Sequence, residues 1–553
     1  MRKARRDRPE SGSRDGTRVA LCVFAPLLIG VLCWYHISGS RAAAGEFGYP
    51  LDDSWIHVRF AQHLLQARGF SFNPGELTST TTGALWTVLL ALAHRVTREF
   101  LLTSIVLNAA LCVLLCLVVY ELALTLVPSR WLALLAGVTV AVTAPLPWWA
   151  LSGMEPPLYA TLALLGVLLH VRGRRSGAKV GIPAALAFGL AGLARPECLL
   201  LFPLAMLDRL IVAKWVDRDG NWASRWVKDL AVQLPVFALV ACPPFIYNHV
   251  VTGYWLPSSF YSKQQWVSIS GALARADMKA MLYVIAVAPW LQLGSLLATW
   301  AADNAALIAP LFIGLGWLTW EVVRGRGEHR SLLIPMALIV QPMLWAPFAG
   351  YRPADYQSQR YLAALNPLFL LMGLVGGWWI VERVSPLRAR PARVVLAAAV
   401  LAASLARQPA SAATYALNVK NITEMQVTIG RWLRDHAPRG ALLALNDVGA
   451  IAVITDDPVL DLQGLVTPQV LALRSLKRQA EGTAPALLSQ YVFERRPDYV
   501  VIFPEWYPEM DARRDLLTPV FGVQLSDNIT SGRPAMVVYQ TVWAKAHGKE
   551  AKL

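Results

Sequence analysis

Two adjacent carboxylates, Asp52 and Asp53, stand at the head of the segment from Tyr49 to Trp86. The reading from Asp52 is DDSWIHVRFAQHLLQARGFSFNPGELTSTTTGALW. A positioned carboxylate can take a proton from a hydroxyl. His57 and Arg59 follow closely and can hold an anion or orient a neighbour. The spacing of Trp55, Ile56, Val58, Phe60, Leu64 and Leu65 predicts an amphipathic helix lying in a membrane interface, with His57, Arg59, Gln62 and His63 on its polar side. Asn73-Pro74-Gly75 then predicts a tight turn, because Pro fixes φ and Gly admits φ > 0.

Other ionisable residues stand at the edges of apolar runs. Glu155 precedes Pro156-Pro157, where a carboxylate faces the positive end of a helix. Arg195-Pro196-Glu197 interrupts an apolar hairpin, and charges that close to a bilayer are usually paired or functional. Lys263 follows Tyr254, Trp255, Phe260 and Tyr261 and precedes Trp266, an aromatic interface belt. The segment GYRPADYQSQR, 350–360, offers Arg352, Asp355 and Arg360. The bland alternatives are a helix-start charge at Glu155, a local Arg195–Glu197 pair and a snorkelling Lys263.

These residues need a membrane to position them. The chain has 553 residues, 56% hydrophobic and 16% charged, which is unlike a soluble protein. Its mean hydropathy of +0.43 agrees. Apolar runs long enough for the ~30 Å hydrocarbon layer recur to residue 407. Lys and Arg cluster between the runs, at Arg172–Lys179, Arg209–Lys228, Arg324–Arg330 and Arg383–Arg393, as cytoplasmic loops do. The net charge of +15 is therefore no nucleic-acid face. Eleven spans satisfy that charge bias, near 18–38, 101–127, 131–146, 157–171, 180–195, 197–213, 230–250, 302–323, 331–349, 361–381 and 393–407. Residues 83–97 and 278–299 are read as helices at the outer surface, because a crossing at 83–97 would put Arg172–Lys179 outside.

The expected organisation is a cytoplasmic basic tail at 1–17 and a transmembrane domain at 18–407, whose first outer loop is 39–100. An extracytoplasmic α/β domain at 408–545 and a disordered tail at 546–553 follow. A signal peptide is the lesser reading of the first run. The six cysteines lie in or beside apolar runs and read as packed thiols. In the last domain, 441–447, 451–455, 458–462, 498–503 and 537–543 read as strands, and 424–436 and 467–492 as helices. Asn446, Asp447 and Asp461 could touch an acceptor, or serve only as turn residues and strand caps.

The stretch from Asp52-Asp53 to Phe72-Asn73-Pro74-Gly75-Glu76 resembles the first extracytoplasmic loop of GT-C glycosyltransferases. It is nearest the bacterial branch with a DDxxIxxRxA…FNPGE…LW pattern, which includes the terminal arabinofuranosyltransferases. Aminoarabinose transferases and protein O-mannosyltransferases are more distant. The resemblance implies a GT-C membrane domain of α-helices, and an inverting transfer of a sugar from a polyprenyl-phosphate donor to a hydroxyl of an envelope glycan or lipid. It implies Asp52 or Asp53 as catalytic base, with Asp52 favoured. His57, Arg59, Glu155 (in an SGxE motif), Arg195 (in an ARPE turn), Lys263 and Arg360 are the implied donor-binding residues. No cofactor and no obligate metal are implied, and the partners are the lipid-linked sugar, its acceptor and membrane lipid. The implied location is the inner (plasma) membrane, with the N-terminus cytoplasmic and the C-terminal domain outside. LTSTTTGALW lacks the Pro that the family places before its LW, so sugar specificity does not carry over. The rivals are a transporter or flippase of lipid-linked sugars, and a scaffold whose outer domain binds glycans. A flippase needs charges along a mid-membrane path, whereas here they fall at loop edges.

Overall fold

The computed structural model describes residues 16–173, 181–263, 268–325, 331–349, 354–384, 388–479 and 484–544. Arg174, Arg175, Lys179, Trp266, Arg326, Arg330, Arg352 and the 546–553 tail lie outside them, as does most of the basic 1–17 tail.

Helices dominate up to residue 436. Among the span-length helices Phe100–Leu126 is the most apolar, reaching a mean hydropathy of 2.7 over an 18-residue stretch. At ~1.5 Å per residue it exceeds the hydrocarbon thickness. Among the described residues six helices are long and apolar enough to cross a membrane, or up to eight if two bent pairs each count as one. Ala84–Thr97, Ile182–Ala194 and Leu333–Ala349 are shorter apolar helices. Met278–Asp303 reaches span length, whereas the sequence reading put 278–299 at the surface. The protein is a multi-pass membrane protein with a small α/β unit at its C-terminal end. Residue 408, taken as the start of that unit, falls inside a continuous helical stretch, Ala389–His436.

The C-terminal unit carries a five-stranded sheet of β3 (Leu443–Leu445), β4 (Val459–Asp461), β5 (Tyr499–Ile502), β6 (Leu517–Gln524) and β7 (Ala535–Thr541). Their order across the sheet is β4-β3-β5-β7-β6. β3 pairs in parallel with β4 and β5, and β7 is antiparallel to β5 and β6. Residues 451–455, expected as a strand, belong to the helix Gly449–Thr455. The apolar run there fits a buried helix as well as a strand, and length alone does not separate the two. β6 was missed because its alternating face is mostly exposed.

The first loop is built into this unit. Asp52–Leu65 is a helix, followed by a small hairpin of β1 (Ser71–Asn73) and β2 (Glu76–Leu77) around the predicted Pro74-Gly75 turn. Phe60 and Phe72 join one hydrophobic core with Ile429, Leu433, Leu443 and Val501. The side chain of Asn73 accepts from the Val459 N–H and donates to the Val459 carbonyl, both at 2.8 Å. The helix expected to lie free in an interface is thus covered by the C-terminal unit.

Candidate active site

Asp52 and Asp53 occupy the first turn of the Asp52–Leu65 helix. Neighbouring helical residues diverge by ~100°, and the two carboxylates have different partners. Asp53 Oδ2 accepts from Lys263 Nζ at 2.7 Å and from an Arg360 guanidinium N–H at 3.0 Å. Asp52 points to the C-terminal unit, where its two oxygens accept the Gly449 and Ala450 N–H groups, both at 2.7 Å. The carboxylate thereby satisfies orphan donors at the start of the Gly449–Thr455 helix. Gly449 has no substitute there, since a Cβ would lie 2.1 Å from the Asp52 carbonyl oxygen.

One helical turn beyond Asp53, His57 is held between two groups. Its Nδ1 bonds the Thr87 hydroxyl at 2.9 Å, and its Nε2 faces Glu155 at 3.4 Å. Glu155 is fully buried and also accepts from Arg195 at 2.8 Å. Arg195 reaches Glu197 as well and lies over the Tyr361 ring at 4.6 Å. Arg360 is fixed by Asp53, by Met154 Sδ at 3.0 Å and by the Tyr361 hydroxyl at 3.1 Å, while its carbonyl accepts from Tyr159.

These groups border a cavity of about 160 Å³. Its polar end is lined by Asp53, His57, Arg195, Glu197, Lys263 and Arg360, and its apolar part by Phe260, Leu296, Pro342, Trp345 and Leu365. The C-terminal unit contributes Leu465 and Val466. The Nε of Arg360 is buried and has no hydrogen-bond partner among the described residues. Burial pushes the Asp53 carboxyl up, but Lys263 and Arg360 outweigh it and hold the group well below the usual carboxylate range. Burial and the facing Asp447 push Asp52 up toward neutrality, against the two backbone N–H bonds. Asp447 is also raised, chiefly by burial, and accepts from Gln426 and Asn446.

Of the residues singled out from sequence, Asp53, His57, Arg195, Lys263 and Arg360 converge on the cavity. Glu155 lies behind its wall, tying His57 to Arg195. Two others lie elsewhere. Asp52, favoured as the base, is not in the lining, because both its oxygens are spent on backbone amides. Arg59, expected to bind donor, turns away from the cavity, bonding Asp456 and, at 3.2 Å, the Phe72 carbonyl. Asp461 is used within its own turn, accepting from the Gln463 and Val466 N–H groups. Tyr159, Tyr361 and Met154 were missed. Met154 is the variable residue of the SGxE motif, and Tyr361 directly follows Arg360.

Solved structures with a similar fold exist at low identity. An ArnT from Cupriavidus metallidurans, bound to undecaprenyl phosphate, aligns over 94% of this chain and 98% of its own at 12% identity and a TM-score of 0.55. The Archaeoglobus fulgidus oligosaccharyltransferase in its apo form aligns over 96% of this chain and 75% of its own, at 12% identity and a TM-score of 0.59. The chain has the GT-C fold. A further GT-C structure, the oligosaccharyltransferase AglB from A. fulgidus with an inhibitory peptide and a dolichol-phosphate, aligns over 88% of this chain and 69% of its own at 13% identity, with a TM-score of 0.57. Residues 420–546, the C-terminal part of the chain, match a domain of unknown function, DUF8728. No curated protein matches the sequence.

Proposed function

We propose that the protein is an inverting glycosyltransferase that moves a sugar from a polyprenyl-phosphate donor to a hydroxyl of an envelope glycan or lipid. The site is read as lying on the outer face of the plasma membrane. The observation that carries this is the meeting of Lys263 and Arg360 on one oxygen of Asp53 at the polar end of a cavity whose remainder is apolar. A lipid-linked sugar phosphate has the same division, with an anionic head and a hydrocarbon tail. The GT-C structures solved with undecaprenyl phosphate and dolichol-phosphate support that donor class.

In this reading Asp53 is the base. It accepts the acceptor hydroxyl's proton as that oxygen attacks the anomeric carbon, and the bond to phosphate breaks on the opposite face. Lys263 and Arg360 stabilise the charge that develops on the departing phosphate, and the unused Arg360 Nε–H is a further donor for it. His57, Glu155 and Arg195 hold the wall and orient the sugar. The test is Asp53→Asn in membranes holding the host's own lipid-linked sugars. Sugar transfer should fall by ~1,000-fold with the protein still folded, and transfer at the wild-type rate would refute the assignment.

A further inference from the structure

The Asp52–Leu65 helix has two working faces. Residues seven apart share a face, since seven steps of ~100° nearly complete two turns. Asp52 and Arg59 are such a pair, and both grip the helix Gly449–Thr455 of the C-terminal unit. The Asp52 carboxylate takes the amides at its N-terminal end, and Arg59 bonds Asp456, the residue that ends it in the left-handed conformation. Asp53 and His57, four apart, look the other way into the cavity. Gly449 sets the approach, because any side chain would collide with the Asp52 backbone.

We propose that Asp52 and Arg59 are positioning residues: by holding both ends of the Gly449–Thr455 helix they fix the roll of Asp52–Leu65, and so the place of the Asp53 carboxylate between Lys263 and Arg360. The C-terminal unit is then a working part of the site and not an appended module. This rests on Asp53 being the base. Small errors of placement matter here, since a shift of ~1 Å can cost ~100-fold in rate.

The test uses the full-length protein and reads three things: turnover per folded molecule on the host's lipid-linked sugars, affinity for undecaprenyl phosphate, and amide hydrogen exchange at Gly449 and Ala450. Asp52→Asn should lower turnover by ~10- to 100-fold, with undecaprenyl phosphate affinity within about threefold of wild type and faster exchange at the two amides. Gly449→Ala removes no polar group and should reproduce this loss. Asp456→Ala, at a side chain 79% exposed, is a mild variant that keeps the fold, and should lower turnover by about threefold. Unchanged turnover per folded molecule in Asp52→Asn and Asp456→Ala would overturn the proposal and leave the role of Asp53 standing. A loss of undecaprenyl phosphate affinity equal to the loss of turnover would also overturn it. An inactive Asp52→Asn beside an active Asp53→Asn would remove the base assignment itself.

Discussion

Two ionic clusters lie at opposite ends of the same helices, and the near one borders the cavity. Pro156–Gly173 begins beside Glu155 and carries His170 near its other end, ~22 Å along the axis. The run from Arg195 through Leu201–Ile211 likewise ends at Asp208 and Arg209. At that far end Asp208 bonds His170 at 2.8 Å and accepts the Ser331 hydroxyl at 3.1 Å and the Leu332 N–H, at the entry to Leu333–Ala349. Arg209 bonds Asp229 at 2.9 Å. All four of these ionisable side chains are buried, as Glu155, Arg195 and Arg360 are. Burial and pairing therefore do not mark the site. The near cluster's cations and Asp53 line the cavity, and the far one ties helix ends together.

Substitutions at equivalent ranks should separate the two clusters. The largest contrast is Asp53→Asn against Asp208→Ala. The first should cost ~1,000-fold in transfer at little cost in stability. The second should destabilise by ~3–5 kcal/mol, since it strands a buried His170 and an amide, yet leave transfer per folded molecule unchanged. Thermal unfolding beside sugar-transfer assays checks both, and a far-end variant that folds normally but transfers nothing would erase the distinction.

Next in size, Lys263→Ala and Arg360→Ala should each lower transfer by ~100-fold and weaken undecaprenyl phosphate binding. Arg209→Ala should leave that binding intact. A fluorescence or calorimetric titration with undecaprenyl phosphate distinguishes them.

The smallest effect concerns pH. The folded protein raises Asp52 and Asp447 above their unfolded values, chiefly by burial. Their contribution to stability is thus fully present below the ordinary carboxylate pKa. It is lost as pH rises through the raised values toward neutrality. Asp53 has the opposite sign, so its contribution is present above the ordinary carboxylate pKa and is lost as pH falls from there toward its lowered value. Unfolding followed from pH 5 to pH 8 should show a falling midpoint that Asp447→Asn flattens by about 2 °C. An unchanged slope in that variant would show that the facing carboxylates do not set it.

Much of the near cluster was legible in the sequence, because charged residues at the edges of apolar runs are rare and costly. Asp53, Lys263 and Arg360 lie far apart in the chain, yet each stood out on that ground. The choice between Asp52 and Asp53 was not legible. It depends on which carboxylate meets the Gly449 and Ala450 amides, some 400 residues away, and adjacent acids look alike in a string of letters. The contact of Arg59 was hidden for the same reason, its partner Asp456 lying in a distant turn. The α/β character of the C-terminal unit followed from its short apolar runs. The Gly449–Thr455 helix did not, because seven apolar residues have no period long enough to separate helix from strand. Bent pairs such as Trp222–Ala241 with Pro243–Thr252 were not legible either, since a bend depends on geometry that hydropathy and charge do not carry.

The most direct measurement is to follow undecaprenyl phosphate binding and sugar transfer together in purified Asp53→Asn. Removing that negative charge from beside Lys263 and Arg360 leaves the site more positive, so the lipid phosphate should bind at least as tightly as in the wild type while transfer falls by ~1,000-fold. Transfer at the wild-type rate, or a lipid affinity that falls in step with transfer, would contradict the assignment of Asp53 as the base.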